Sequence, residues 1–109
     1  MPNALSVQSG IVRAVKGENT LSLDYQLIQG RIAGYTSLYK EFGYTDGNLA
    51  SINVWNNDAK SIYLLQILFS YTSGNLTSKI ITDQVTSRVL TTTYGYTDNN
   101  LTSITEAFS

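Results

Sequence analysis

The sequence predicts an all-β fold: an antiparallel β-meander of about six strands from three hairpin repeats, with an N-terminal arm or short helix. The main observation is a phrase that occurs three times, starting at Tyr44, Tyr71 and Tyr96, 27 and then 25 residues apart. An internal repeat of this kind is stronger evidence of architecture than composition is. In each copy an aromatic segment precedes a polar group, and a segment rich in Leu, Thr and Ser follows it. This order is the sequence form of a β-hairpin.

The polar group of each copy predicts the hairpin turn. Tight hairpin turns need residues that accept positive φ angles, which Gly, Asn and Asp adopt most easily. The predicted turn pairs are Asp46 with Gly47, Ser73 with Gly74, and Asn99 with Asn100. We therefore expect three hairpins in series.

The first third of the chain is predicted to be a docking segment. Residues 1–37 form an N-terminal arm and residues 38–109 the β-hairpin repeat domain, the whole being one folding unit. A short apolar run at residues 11–15 indicates either one short strand or a frayed terminus, because first segments are poorly ordered unless something docks on them.

Two periodicities compete between residues 20 and 42. From Leu21 to Leu27 apolar and polar residues alternate, as they do in a strand. A second set has the 4, 3, 4, 3, 4 spacing of a helix seam: Leu21, Tyr25, Ile28, Ile32, Tyr35 and Tyr39. Gly30 and Gly34 would each cost a helix interior about 1 kcal/mol relative to Ala. The extended interpretation is therefore favoured, and the helix remains the alternative.

From Leu38 onward the pattern predicts strands separated by polar connections. A first strand runs from Leu38 to Tyr44, and the following ones cover residues 49–55, 62–71, 76–83, 88–97 and 101–108. Leu49 and Ile52 are three residues apart and would point to opposite faces of a regular strand. A β-bulge near Ala50 and Ser51 would return them to one face, and the repeated phrase indicates that the bulge recurs.

The most apolar strand, residues 62–71, is apolar on both sides, which favours a subunit interface in a chain this small. The predicted interface residues are Tyr63, Leu65, Ile67, Phe69, Tyr71 and Trp55. A second hypothesis uses the same aromatic residues as a carbohydrate-stacking face, although aromatic residues at hairpin entrances are more often packing residues.

Composition argues against several other functions. The net charge is −1, charged residues make up 14% of the chain, and no two of the seven Lys and Arg residues are adjacent, so a nucleic-acid partner is not expected. Cys and His are both absent, which removes the commonest general base and metal ligands. We expect no catalytic, cofactor-binding or metal site, because Asp46, Asp58 and Asp98 lie in turns where Asp caps its own backbone. We also expect a soluble protein made in the cytoplasm without membrane contact, since neither a signal peptide nor an apolar span is present.

The three phrases, Tyr-Thr-Asp-Gly-Asn-Leu, Tyr-Thr-Ser-Gly-Asn-Leu and Tyr-Thr-Asp-Asn-Asn-Leu, resemble the YD-type repeats of large secreted RHS shell proteins. Here Thr replaces the Asp that follows Tyr in those repeats. The chain is more similar to the small virion proteins of tailed bacteriophages, over about residues 38–108. That resemblance implies a virion protein that self-associates, as a trimer by analogy with fibres. It also implies docking on other proteins of the capsid, neck, tail or fibre after synthesis in the host cytoplasm.

Overall fold

The computed structural model describes residues 22–109, which form one helix followed by six strands. The predicted short strand at residues 11–15 and most of the N-terminal arm lie outside the described residues. Contacts divide the chain into two compact units, one ending at Ala33 and one spanning Gly34–Ser109, whereas the sequence predicted a boundary after residue 37. Helix α1 belongs to the first unit and every strand to the second, and each unit is described by itself.

Helix α1 spans Leu23–Ile32, so the extended interpretation of this segment was wrong. The side chain of Ser22 caps the first turn by accepting a hydrogen bond from the backbone N–H of Tyr25, while Asp24 adds favourable negative charge at the N-terminal end. The helix ends just before Gly34, which has a φ of 90°. The cap at Ser22 and the glycine beyond the last turn both stabilise the helix. They explain why this segment is not the strand that residue alternation favoured.

The six strands form one antiparallel sheet in the order β1 to β6, which confirms the predicted meander. Their bounds are β1 Tyr39–Thr45, β2 Asn48–Trp55, β3 Tyr63–Thr72, β4 Asn75–Asp83, β5 Val89–Thr97 and β6 Asn100–Phe108. Each of the six strands predicted from Leu38 onward is present, with both ends within one residue of the expected position. The repeat therefore specified the strands well, because every copy combines β-favouring segments with a turn.

Each hairpin turn has two residues with positive φ. The first two turns occur where predicted, with φ angles of 52° and 81° at Asp46 and Gly47 and nearly the same values at the equivalent pair of the second hairpin. Ser73 and Gly74 form that second pair. The third turn differs from the prediction by one residue, because it uses Asp98 and Asn99, with φ angles of 52° and 65°.

Asn100 is not a turn residue but the first residue of β6. It pairs with Thr97, just as Asn48 pairs with Thr45 in the first hairpin. In both hairpins the turn therefore consists of the two residues between the paired Thr and Asn.

A β-bulge occurs at the same place in each hairpin, which confirms both the bulge predicted near Ala50 and its recurrence. Gly43 pairs with Ser51 and Tyr44 with Leu49, which leaves Ala50 as the extra residue and places Leu49 and Ile52 on one face. The register shifts in the second and third hairpins leave Thr77 and Thr102 as the equivalent residues. Each of these two threonines donates its hydroxyl to a carbonyl oxygen of the partner strand, at 3.1 and 3.2 Å respectively.

One face of the sheet carries an apolar row that crosses all six strands, and we call it the apolar face. Its members pair directly from strand to strand: Phe42, Ile52, Ile67, Ile81, Leu90 and Phe108. Next to this row Val54 pairs with Leu65, and both side chains are buried. This face holds most of the buried apolar side chains of the hairpin unit.

A further register shift separates the pairs Val54 with Leu65 and Trp55 with Tyr63, so Leu64 is an extra, buried residue in β3. Regular alternation along β3 would place Tyr63 and Leu65 on the same face. The bulge reverses that alternation and turns Tyr63 to the face opposite the apolar face.

Candidate functional site

The contacts between consecutive hairpins, which we call hairpin junctions, differ from the pairing within a hairpin. Within the first hairpin, backbone pairing continues to Thr45 and Asn48 beside the turn. At the junction of β2 with β3, pairing stops at Ser51 and Leu68, before the hairpin tips. The junction of β4 with β5 stops at the equivalent pair, Ser78 and Thr93. The tips of neighbouring hairpins are therefore not joined by strand pairing.

A tyrosine hydroxyl joins the hairpins at this position. Tyr71 donates to the carbonyl oxygen of Leu49 in the preceding hairpin at 2.9 Å, and Tyr96 donates to Leu76 in the same way at 2.8 Å. The two tyrosines and the two leucines occupy equivalent places in the repeated phrase. Each copy therefore supplies a donor to the copy before it and an acceptor to the copy after it.

The outer copies leave this donor and acceptor unused. Tyr44 is 66% exposed, and its hydroxyl has no hydrogen-bond partner among residues 22–109. Leu101 is 50% exposed, whereas its equivalents Leu49 and Leu76 are half-buried because the next hairpin lies beside them. The unused donor lies on β1 and the unused acceptor on β6, the two edge strands of the sheet.

Both edges also carry exposed apolar side chains on the apolar face. Phe42 on β1 is 54% exposed and Ile104 on β6 is 56% exposed. Alternation along β1 places Tyr44 beside Phe42, and the pairing of Leu101 with Tyr96 and of Ile104 with Tyr94 places both residues on this face. Exposed apolar residues and unpaired edges occur together, and this combination favours pairing with another strand.

The six predicted interface residues do not form one surface. Leu65 is 2% exposed and belongs to the core, with Ile67 and Phe69 half-buried along the same strand face. Tyr71 lies at the first hairpin junction. Trp55 and Tyr63 occupy the opposite face.

Four exposed edge residues were not predicted as surface candidates from the sequence: Phe42, Tyr44, Leu101 and Ile104. The signal for them was available, because they occupy the outward-facing ends of the first and last repeat copies.

Trp55 and Tyr63 form an aromatic cluster with Tyr39. The rings of Trp55 and Tyr63 are stacked with centroids 5.1 Å apart, and Tyr39 lies 6.0 Å from Trp55 in a tilted arrangement. The ammonium group of Lys60 lies over the Trp55 ring at 4.9 Å. Three side chains therefore contact the one tryptophan of the chain, so the cluster is already packed against itself.

Polar groups surround this cluster and are joined to one another by an ion pair and hydrogen bonds. Lys60 forms a 2.9 Å ion pair with Glu41, whose carboxylate also accepts a hydrogen bond from the Tyr39 hydroxyl at 3.0 Å. Hydrogen bonding from Lys60 lowers the pKa of the exposed Glu41 carboxyl, and bonding to Glu41 raises the pKa of both Lys60 and Tyr39. Burial raises the pKa of the Tyr63 hydroxyl, which donates to Asn53.

The remaining features are structural in character. Asp83 is buried, and its carboxylate accepts hydrogen bonds from the backbone N–H groups of Val85 and Thr86 at 2.9 and 3.2 Å, which caps the β4–β5 connection. Within residues 22–109 there is no group of three or more acidic side chains placed to hold a metal ion. In the same range no helix has the length and apolar character needed to cross a membrane.

Comparison with protein-family models, curated proteins and solved structures gave no match for this chain.

Proposed function

We propose that this chain is a non-enzymatic structural protein that self-associates through its open strand edges and docks on a larger particle. The observation that supports it is the unequal use of the repeat. At each of the two junctions the tyrosine of one copy is bonded to the leucine of the copy before it, while Tyr44 and Leu101 remain exposed at the two edges.

Edge strands present unpaired backbone groups, and natural proteins protect them with charge, proline or bulges. Strand β6 contains one charged residue, Glu106, and no proline, and its bulge at Thr102 lies close to the turn, so the rest of its edge has little such protection. Burying exposed Ile104 and Leu101 against another strand would remove apolar surface from water. Self-association accounts for both the apolar edges and the low content of charged residues.

Native mass measured over a dilution series tests this proposal. The full chain should form oligomers at high concentration that dissociate to monomer on dilution. A folded monomer at every concentration would contradict self-association. Circular dichroism of the same samples establishes that the sheet is intact.

The particle is proposed to be the virion of a tailed bacteriophage, on the resemblance of the three phrases to small virion proteins. Mass spectrometry of purified particles tests this part separately. Detection of the chain in stoichiometric amounts in particles that are free of host proteins would support it, and its absence from such particles would contradict it.

Carbohydrate binding is a second candidate, favoured by the aromatic cluster with Glu41, Asn53 and Lys60 around it. Sugar rings stack on open aromatic faces, but Trp55 already contacts Tyr63, Tyr39 and Lys60. Binding would require Lys60 to move from the ring. Titration of glycans into the native chain and into Trp55→Phe tests the idea: binding that the substitution abolishes while the oligomer persists would support a sugar site.

A further inference from the structure

We propose that the partner of both sheet edges is a second copy of this chain, joined head to tail so that β6 of one copy pairs with β1 of the next. This inference rests on the proposed self-association and adds the identity, direction and register of the interface. The junctions inside the chain provide the template, because both of them already join the end of one hairpin to the start of the next.

The two internal junctions have the same register when residues are counted from the repeated phrase. Ser51 lies two residues after Leu49, and its partner Leu68 lies three residues before Tyr71. At the second junction Ser78 lies two residues after Leu76, and its partner Thr93 lies three residues before Tyr96. Two independent junctions therefore follow one rule.

Applied to the outer strands, this rule fixes a third junction. Ser103 lies two residues after Leu101, and Glu41 lies three residues before Tyr44, so Ser103 should face Glu41 of the next copy. Ile104 should then face Lys40 and Thr105 should face Tyr39. In a six-stranded antiparallel meander β1 and β6 run in opposite directions, so this pairing is antiparallel like every other in the sheet.

The hydrogen bond of the junction is also available at these edges. The Tyr44 hydroxyl of the next copy should donate to the carbonyl oxygen of Leu101, as Tyr71 does to Leu49. Leu101 would then be covered as Leu49 and Leu76 are. Phe42, Tyr44, Leu101 and Ile104 all lie on the apolar face, so this face would continue from one copy into the next.

Such an interface is heterologous, because it joins two different edges instead of one edge to itself. A heterologous interface propagates into an open series unless its rotation closes a ring, and it does not give a two-fold symmetric dimer. Blocking one edge in one copy therefore leaves the other edge of that copy competent.

This property gives a sharp test with two variants, Phe42→Lys and Ile104→Lys. Lysine on an edge strand opposes edge-to-edge pairing. Both positions are more than half exposed, at 54% and 56%, so the monomer should keep its fold. Val85→Lys is the matched control, because Val85 is also 54% exposed but lies in the connection after β4.

Each edge variant alone should be monomeric by native mass, and Val85→Lys should assemble like the unmodified chain. An equimolar mixture of the two edge variants should form a 1:1 dimer, since one copy retains a native β6 edge and the other a native β1 edge. A variant that still dimerises alone, or a mixture that stays monomeric although the unmodified chain assembles, would overturn the head-to-tail arrangement. An unmodified chain that is monomeric throughout would instead refute self-association itself.

Tyr44→Phe supplies a milder second test that leaves the strand edge unchanged. Loss of this one hydrogen bond should lower the association constant between copies about fivefold. An unchanged constant would contradict the assigned contact between Tyr44 and Leu101.

Discussion

The Tyr71 hydroxyl donates a hydrogen bond to the carbonyl oxygen of Leu49 at 2.9 Å, at the point where the first two hairpins cease to pair. Tyr96 and Leu76 repeat this relationship at the next junction. The repeated phrase therefore specifies two things: a hairpin with its turn and bulge, and the contact by which one hairpin joins another.

The junction hydrogen bond should contribute to the stability of the sheet. Tyr96→Phe removes the 2.8 Å bond to Leu76, and we expect the free energy of unfolding to fall by about 1 kcal/mol. Urea denaturation at concentrations where the chain is monomeric measures the change. Tyr44→Phe is the matched control and should have no effect there, because the Tyr44 side chain is exposed. Equal losses in the two variants would contradict a role for the junction bond.

Replacing either of two threonines by valine should change the free energy of unfolding, but in opposite directions. Thr77→Val removes the hydroxyl that donates to Ser70 at the bulge and should lower the free energy of unfolding by about 0.5 kcal/mol. The hydroxyl of Thr92 is buried and has no hydrogen-bond partner among the described residues, so Thr92→Val should raise that free energy by about 1 kcal/mol. Urea denaturation of both variants checks the signs, and a loss at position 92 would indicate that its hydroxyl is satisfied.

Two glycine-to-alanine substitutions should change stability in opposite directions. Both glycines have open space at the Cβ position, but they differ in backbone conformation. Gly74 has a φ of 82° with nothing near its Cβ position, so Gly74→Ala should cost about 1 kcal/mol through backbone strain alone. Gly30 lies within α1, also in open space, and Gly30→Ala should stabilise the helix by up to about 1 kcal/mol. Urea denaturation measures the first change and amide hydrogen exchange of α1 the second. The same sign at both positions would contradict this account.

The ion pair beside the aromatic cluster should make a small contribution that depends on pH. Lys60 lowers the pKa of Glu41 below its ordinary value of 4.5, so this contribution is present above that value and is lost as pH falls through the lowered pKa. Glu41 raises the pKa of Lys60 above 10.5, so the contribution persists up to that value and is lost as pH rises through the raised pKa. Lys60→Met should return the Glu41 pKa toward its ordinary value in an NMR titration. An unchanged titration would show that the pair does not persist in solution.

The repeat made the sheet predictable from the sequence, but the contacts between repeats could not be predicted. Turn residues and alternation are local signals, so all six strands and the bulge at Ala50 were predicted. The helix at residues 23–32 was predicted only as the alternative to a strand, because the alternation of apolar residues is strand-like and the cap at Ser22 was not recognised. The face of Tyr63 was missed because the bulge at Leu64 depends on pairing with β2, and no local pattern marks it. The bond from Tyr71 to Leu49 depends in the same way on the register between two hairpins.

Amide hydrogen exchange of β1 and β6 as a function of protein concentration tests the proposed edge association most directly. Head-to-tail association predicts that protection rises together at both edges, including the outward-facing amides of Ile104 and Lys40, as the chain becomes concentrated, while β3 and β4 remain protected throughout. Protection that is independent of concentration at both edges, in samples whose native mass increases, would contradict the account because another surface would then join the copies.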